Sequence, residues 1–269
     1  MPDNWVRSTA LKDFVRSVEQ WLVPPPQAHD RADFRLLFFP YAGGGASVFR
    51  GWQSYFPSSI QVHAIQYPGR ESRWGEAGYY TLYQLVSALG EWLTASVDRR
   101  WALAGHSLGG MIAFELTSML VRRGGPVPEH VFLSAVSAPQ FKKSSIIHNL
   151  PEEQFLREIR SYGGLPPEIS RDPEYLNLFV PILKNDLRLY EEHVFTPGAP
   201  LPVPVTVLGG LEDPKVSPRD LLGWAAHTQY PLASRFFTGK HFFLFEHVAA
   251  ISRIMAATLR QGSRGREAV

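Results

Sequence analysis

Trp101-Ala102-Leu103-Ala104-Gly105-His106-Ser107-Leu108-Gly109-Gly110 is an apolar run that breaks at Gly105 into a G-x-S-x-G pentapeptide centred on Ser107. This is the strand-turn-helix signature of an activated serine nucleophile. The turn is so sharp that its serine occupies a strained backbone region, and a side chain at Gly105 or Gly109 would crowd the strand and helix that pass beside it. The residues beyond the pentapeptide support a helix there. Met111 to Arg123 has Ile112, Leu116 and Met119 at helical spacing, and Gly124-Gly125 ends the run.

Working outward, the elements alternate. Phe34 to Phe39, Val62 to Gln66, Val131 to Val136, Val203 to Leu208 and Ser234 to Phe237 read as strands, and Leu82 to Val97, Pro218 to Ala226 and Glu246 to Arg260 as helices. Near-continuous apolar strands between helices imply a mostly parallel sheet covered on both faces. The stretch from 140 to 194 breaks the rhythm, being helical in pattern with no strand, and reads as a lid inserted over the site. Upstream, residues 4 to 22 carry Leu11, Phe14, Val15, Val18, Trp21 and Leu22 at amphipathic helical spacing, and Pro24-Pro25-Pro26 comes next as a stiff linker. The expected organisation is an N-terminal helix and linker over 1–30, a core made of 31–139 and 195–262, the lid over 140–194, and a tail over 263–269.

The 269 residues suffice for one large domain with a substantial core. The N-terminal helix mixes charged with apolar residues, which argues against a secretory signal and a membrane span, so a soluble, cytoplasmic protein is expected. The absence of cysteine excludes disulfides, thiolate metal sites and a cysteine nucleophile, and the formal charge of only +2 argues against a nucleic-acid binder. No metal or cofactor is expected.

A serine hydroxyl needs a histidine to take its proton and a carboxylate to hold that histidine in the right tautomer. In this class the partners come in the order serine, acid, histidine. Asp213, in Gly209-Gly210-Leu211-Glu212-Asp213-Pro214 at the end of a strand, is the expected acid, with Glu212 as its local rival. His241, in Thr238-Gly239-Lys240-His241 after the last short strand, is the expected base. Of the other histidines, His106 flanks the nucleophile and points away from it; His227 and His247 fall on or beside helices; and His29, His63, His130, His148 and His193 lack the order or the loop context. Two backbone N–H groups should face the carbonyl oxygen on which charge develops. One belongs to Leu108, the residue after the serine. The other is assigned to Ala42, in the glycine-rich stretch Phe39-Pro40-Tyr41-Ala42-Gly43-Gly44-Gly45.

Taken together, Phe-Pro-Tyr-Ala-Gly-Gly at 39–44, Gln-Tyr-Pro-Gly-Arg-Glu at 66–71, Gly-His-Ser-Leu-Gly-Gly at 105–110, Gly-Gly-Leu-Glu-Asp-Pro at 209–214 and Gly-Lys-His-Phe-Phe at 239–243 resemble the type II thioesterases. These are free-standing α/β-hydrolases that accompany polyketide synthases and nonribosomal peptide synthetases, and the resemblance runs from about Arg31 to Leu259. It implies an α/β-hydrolase fold, Ser107, Asp213 and His241 as triad, Ala42 and Leu108 as oxyanion donors, and a lid between strands six and seven. The implied substrate is an acyl or aminoacyl thioester on the phosphopantetheine arm of an acyl or peptidyl carrier protein, cleared from stalled or wrongly primed carriers. Leu108 stands where methionine is frequent, and the helix before Arg31 is longer than many members carry.

Under that implication, Arg70, Arg73, Arg99, Arg100, Lys142 and Lys143 are candidates for meeting an acidic carrier, with internal pairing as the alternative, above all for Arg70. Phe179, Leu183 and Leu187 are candidates for lining an acyl channel, with ordinary packing as the alternative. A monomer is expected. The competing functions are a small-ester carboxylesterase, a product-releasing acyl transferase or cyclase, and a binding protein that kept the fold without the chemistry.

Overall fold

The computed structural model describes residues 20–24, 32–141, 145–161, 163 and 172–266. Seven strands form one sheet in the order β1-β3-β2-β4-β5-β6-β7. They are β1 (Leu22–Val23), β2 (Phe34–Phe39), β3 (Ile60–Ile65), β4 (Arg100–His106), β5 (Val131–Ser134), β6 (Val205–Gly210) and β7 (Ala233–Phe237). All neighbours pair in parallel except β1, which runs antiparallel to β3. Parallel strands must be buried on both sides, and the period of two shows how. Leu37, Phe39 and Leu103 enter one apolar core, while Leu36, Phe38, Ala102 and Ala104 enter the other. This mostly parallel sheet with helices on both faces is an α/β-hydrolase fold.

The register aligns the carboxyl ends of the strands: Phe39 pairs with Gly105, His106 with Ser134, and Ser134 with Leu208. The loops that leave β2, β4, β6 and β7 therefore gather at one edge, where open α/β sheets bind their ligands. On one face lie helices α1 (Leu82–Ser96) and α2 (Leu108–Arg122). Helix α1 starts on a reciprocal capping box between Thr81 and Gln84 and buries Leu85, Leu89 and Leu93. It approaches α2 at Gly90, where a Cβ would lie 2.1 Å from Met119 Cε.

Between β5 and β6, one strand earlier in this seven-stranded sheet than the sixth and seventh that the resemblance implies, the chain carries helices α3 (Glu152–Ser161) and α4 (Pro173–Glu191), with Asp172 capping α4 and Pro173 at its first turn. They share a small core of their own, built from Ile147, Phe155, Leu156, Ile159, Val180 and Leu183. After β6 come α5 (Pro218–Leu222), then β7, α6 (Phe243–Glu246) and α7 (Val248–Arg266).

Four elements depart from the sequence reading, one being the helix expected from Pro218 to Ala226, which stops as α5 at Leu222 and passes into a 3-10 helix over Gly223–His227. Leu22, expected to close the N-terminal helix, instead begins the edge strand: Gln20 and Trp21 are helical, Leu22 and Val23 pair with Ile65 and Ala64, and Gln66 N donates to Trp21 O at 2.9 Å. The unpaired backbone at the outer edge of β3 outweighs the local helical pattern. The expected helix over 246–260 is divided at His247 into α6 and α7, and α7 continues beyond Gly262 to Arg266, through residues assigned to a tail. The rest of the N-terminal helix and Pro25-Pro26 lie outside the described residues. No helix among the described residues is long and apolar enough to cross a membrane.

At the base of β5, His130 is 8% exposed, its Nε2 faces Thr206 Oγ1 at 2.8 Å, and burial lowers its pKa from 6.5 to about 4. Between those values the unfolded chain binds a proton at His130 that the folded chain does not, so stability falls as pH falls through this window. Urea unfolding at pH 6.5 and pH 5 will show a smaller loss of stability in His130→Gln than in the parent chain, by about 1–2 kcal/mol. Equal losses would show that His130 does not govern the slope.

Candidate active site

Ser107 joins β4 to α2 with φ 54° and ψ −118°, a conformation that side-chain-bearing residues rarely adopt. The surroundings impose it. Ser107 N donates to Ser134 O at 2.8 Å and Gly110 N to Ser107 O at 2.9 Å. A Cβ at Gly105 would sit 2.1 Å from Gly109 O, and one at Gly109 would sit 2.0 Å from Phe39 O. Both positions admit only glycine because helix, strand and turn are already in van der Waals contact there.

Asp213 leaves β6 and turns back on itself. Its Oδ1 accepts from Lys215 N at 2.8 Å and Val216 N at 3.2 Å, and its Oδ2 faces His241 Nδ1 at 2.8 Å. The Asp213 and His241 side chains are 1% and 8% exposed. A carboxylate is acceptor-only, so Nδ1 carries the proton and Nε2 presents its lone pair. Glu212 does something else: it accepts from Gly239 N, and its own N donates to Gly239 O at 3.0 Å. It ties the acid's loop to the histidine's loop and does not face the imidazole.

Ser107 and His241 line one cavity of about 220 Å³, which Ala42 and Leu108 also line; Asp213 stands behind the imidazole, off the cavity wall. Leu108 opens α2, where a helix leaves its first N–H groups without internal partners. Ala42 lies in a turn closed by Gly44 N donating to Tyr41 O at 2.9 Å, with Gly43 at φ +80°. Such a turn favours glycine at its third position. No hydrogen bond among the described residues uses the Ala42 amide.

The lid places its three candidate channel residues differently. Leu187 lines the cavity, beside Tyr190, Phe141 and Ile147. Phe179 and Leu183 instead close over the glycine turn: a Cβ at Gly43 would lie 2.8 Å from Phe179 Cζ and 3.1 Å from Leu183 Cδ1. The same face of α4 carries Asp186, 2% exposed.

The candidate carrier contacts need correction. Arg70 is 7% exposed and forms a two-pronged ion pair with Asp186 at 2.5 and 2.8 Å. Burial alone would lower the Arg70 pKa, but the facing carboxylate outweighs it and the pKa is raised. Arg73, also 7% exposed, bonds Glu76 and lies over the Trp21 ring at 4.4 Å. Neither guanidinium is available to a partner's surface. Arg99 and Arg100 sit at the amino end of β4, away from the site's edge; Arg100 pairs with Glu129 at 2.7 Å, and Arg99 donates to Ala32 O at 3.0 Å. Lys142 and Lys143 lie outside the described residues.

Two groups at the site do more than the sequence reading assigns to them, which sets His106 aside as pointing away from the serine. His106 is 1% exposed, packs its ring 5.3 Å from that of His241, and meets Tyr41, Phe242 and Phe245. Burial, reinforced by His241, holds its pKa well below the ordinary value, so it supports His241 as a neutral ring. Asp186 is the other. It stands three residues from Leu183 and seven from Phe179, so the spacing that picks out the apolar stripe already places a carboxylate on it.

Residues 34–259 match the thioesterase-domain family. The gramicidin S biosynthesis protein GrsT of Aneurinibacillus migulanus is 34% identical over 248 residues, covering 92% of this chain and 96% of that protein. Among solved structures, the RedJ thioesterase from the prodiginine biosynthetic pathway in Streptomyces coelicolor aligns with a TM-score of 0.77 at 34% identity, covering 83% of this chain and 91% of that one. The type II thioesterase BorB from the borrelidin biosynthetic cluster aligns with a TM-score of 0.80 at 32% identity, covering 89% of this chain and 97% of that one. With a strained serine on its elbow and an aspartate-held imidazole on the same cavity, the chain belongs to the thioesterase family and is a serine-based thioester hydrolase.

Proposed function

We propose that this enzyme hydrolyses acyl or aminoacyl thioesters from the phosphopantetheine arm of carrier proteins, clearing blocked carriers in polyketide or nonribosomal peptide synthesis. The observation that carries the reading is the convergence of Ser107, the Asp213–His241 pair and the Ala42 and Leu108 backbones on one cavity. The pathways named for RedJ and BorB support the choice of substrate. The partner is an acyl or peptidyl carrier protein, met by a monomer in the cytoplasm, with no cofactor; phosphopantetheine arrives as part of the substrate.

In the proposed mechanism, the Ser107 hydroxyl attacks the thioester carbonyl while His241 Nε2 takes its proton. Asp213 holds the imidazole in the required tautomer and stabilises the imidazolium that forms. The Ala42 and Leu108 N–H groups stabilise the oxyanion. Collapse of the tetrahedral intermediate expels the pantetheine thiolate, which receives the proton from His241 and leaves an ester on Ser107. Water, deprotonated by the same histidine, then hydrolyses that ester and releases the free acid.

Ser107→Ala will lower turnover of an acyl-carrier thioester by at least about 10⁴-fold with unfolding behaviour intact, and a fluorophosphonate will label the parent chain at Ser107 and not the variant. Retained turnover or label would refute the serine's role. Asp213→Asn is expected to cost about 10⁴-fold in kcat by presenting the wrong imidazole tautomer. For one acid, kcat/KM will be higher on the carrier-bound thioester than on its simple oxygen ester, with free acid as the product. A preference for the oxygen ester would indicate a carboxylesterase, and transfer to an amine or internal hydroxyl would indicate a releasing enzyme.

A further inference from the structure

The mechanism leaves a buried ion pair without a task. Arg70 and Asp186 join a core loop to lid helix α4, with side chains 8% and 3% exposed. Asp186 does more than meet Arg70, since its Oδ2 also accepts from Gly43 N at 2.7 Å. Arg70 Nη1 in turn donates to Gly44 O at 3.2 Å. The pair thus grips the glycine turn by both backbone polarities: the carboxylate takes the Gly43 N–H and the guanidinium takes the Gly44 carbonyl.

The turn's own geometry gives this grip a consequence. Gly44 N holds Tyr41 O inside the turn at 2.9 Å. Tyr41 O and the Ala42 N–H belong to one trans peptide unit, so they point in opposite directions. Holding the carbonyl inward therefore turns the Ala42 N–H outward, on the residue that lines the cavity beside Ser107. Gly43 at φ +80° makes the turn possible, and glycine there has no conformational preference strong enough to fix it unaided. The fixing contact comes from the lid.

We infer that Asp186, with Arg70, is a positioning residue that couples seating of the lid helix to alignment of the Ala42 oxyanion donor. With α4 seated, the carboxylate completes the turn; with α4 displaced, the turn loses its acceptor and the oxyanion loses one of its two donors. Lid position then governs kcat as well as access. This inference rests on the assignment of Ala42 as an oxyanion donor in the function proposed above.

The test compares two variants in one neutral background. Arg70→Gln with Asp186→Asn keeps an amide oxygen for Gly43, whereas Arg70→Gln with Asp186→Ala removes it, and neither leaves an unpaired buried charge. Loss of one oxyanion donor costs about 100- to 1000-fold, and loosening it should cost part of that. The alanine pair is expected to show kcat lowered about 10- to 100-fold with KM within about threefold, and the asparagine pair kcat within about fivefold of the parent. An aryl boronic acid, which forms a tetrahedral anion on the serine, should lose affinity in the alanine pair by a factor parallel to the loss in kcat. Amide exchange at Gly43, followed by NMR, should accelerate in the alanine pair alone.

Equal kcat in the two pairs, or a fall in kcat with boronate affinity and Gly43 exchange unchanged, would overturn the inference. Should the alanine pair not fold, the apolar pair Arg70→Met with Asp186→Leu, which also lacks the acceptor, takes its place with the same expectations. Gly43 exchange needs no substrate, so a parent chain inert toward carrier thioesters would sink the functional reading without deciding this one.

Discussion

The contact between Gly109 and the carbonyl of Phe39 governs the geometry of the site. Helix α2 runs so close to the end of β2 that the space of a single methyl group is already occupied by backbone. That approach forces the turn at Ser107, because a helix packed this tightly against its neighbouring strand leaves no room for a gentler exit from β4. It also fixes where β2 ends, and the glycine turn with Ala42 begins two residues beyond Phe39. The position of Ser107 and the start of the glycine turn are therefore set by the same backbone contact, which is why two segments more than sixty residues apart border one cavity.

Around this contact, charge is used sparingly and indoors. Burying the Arg70–Asp186 pair takes two charges out of water, and removal of one partner from such a pair typically costs about 3–5 kcal/mol. A leucine and a methionine could fill the same space. What they could not do is accept from the Gly43 amide and donate to the Gly44 carbonyl. His106 obeys the same economy in reverse: buried without charge, it packs against His241 without placing a positive charge beside that ring.

Much of this is legible in the chain because the deciding signals are local. Gly105, Ser107 and Gly109 report a backbone constraint, and the apolar strands report burial on two faces. Asp213 is separable from Glu212 only by its partners, since both sit on one loop and only the fold shows that Glu212 bonds Gly239 while Asp213 faces the imidazole. The arginines are the least legible. Internal pairing is an alternative that the sequence leaves open for Arg70, but nothing within a few residues of it announces a carboxylate that arrives from position 186. Leu22 misleads for a related reason: helical periodicity is a property of its own segment, whereas the open edge of β3 that recruits it lies some forty residues away.

The tie from Glu212 to Gly239 divides the constellation into two mechanical halves. Asp213 and His241 ride on loops fastened to each other and anchored in β6 and β7, and the bond between them uses no cap residue, although Lys215 on the same loop reaches Glu158 of α3 at 3.6 Å. The glycine turn, by contrast, is moored to the cap through Asp186. Under the coupling inferred above, a swing of the cap slackens the glycine turn, while the bond between Asp213 and His241 involves no cap residue. Under that inference the enzyme stands open to an incoming thioester with Asp213 and His241 already paired, yet hydrolyses poorly any acyl group that fails to draw the cap down.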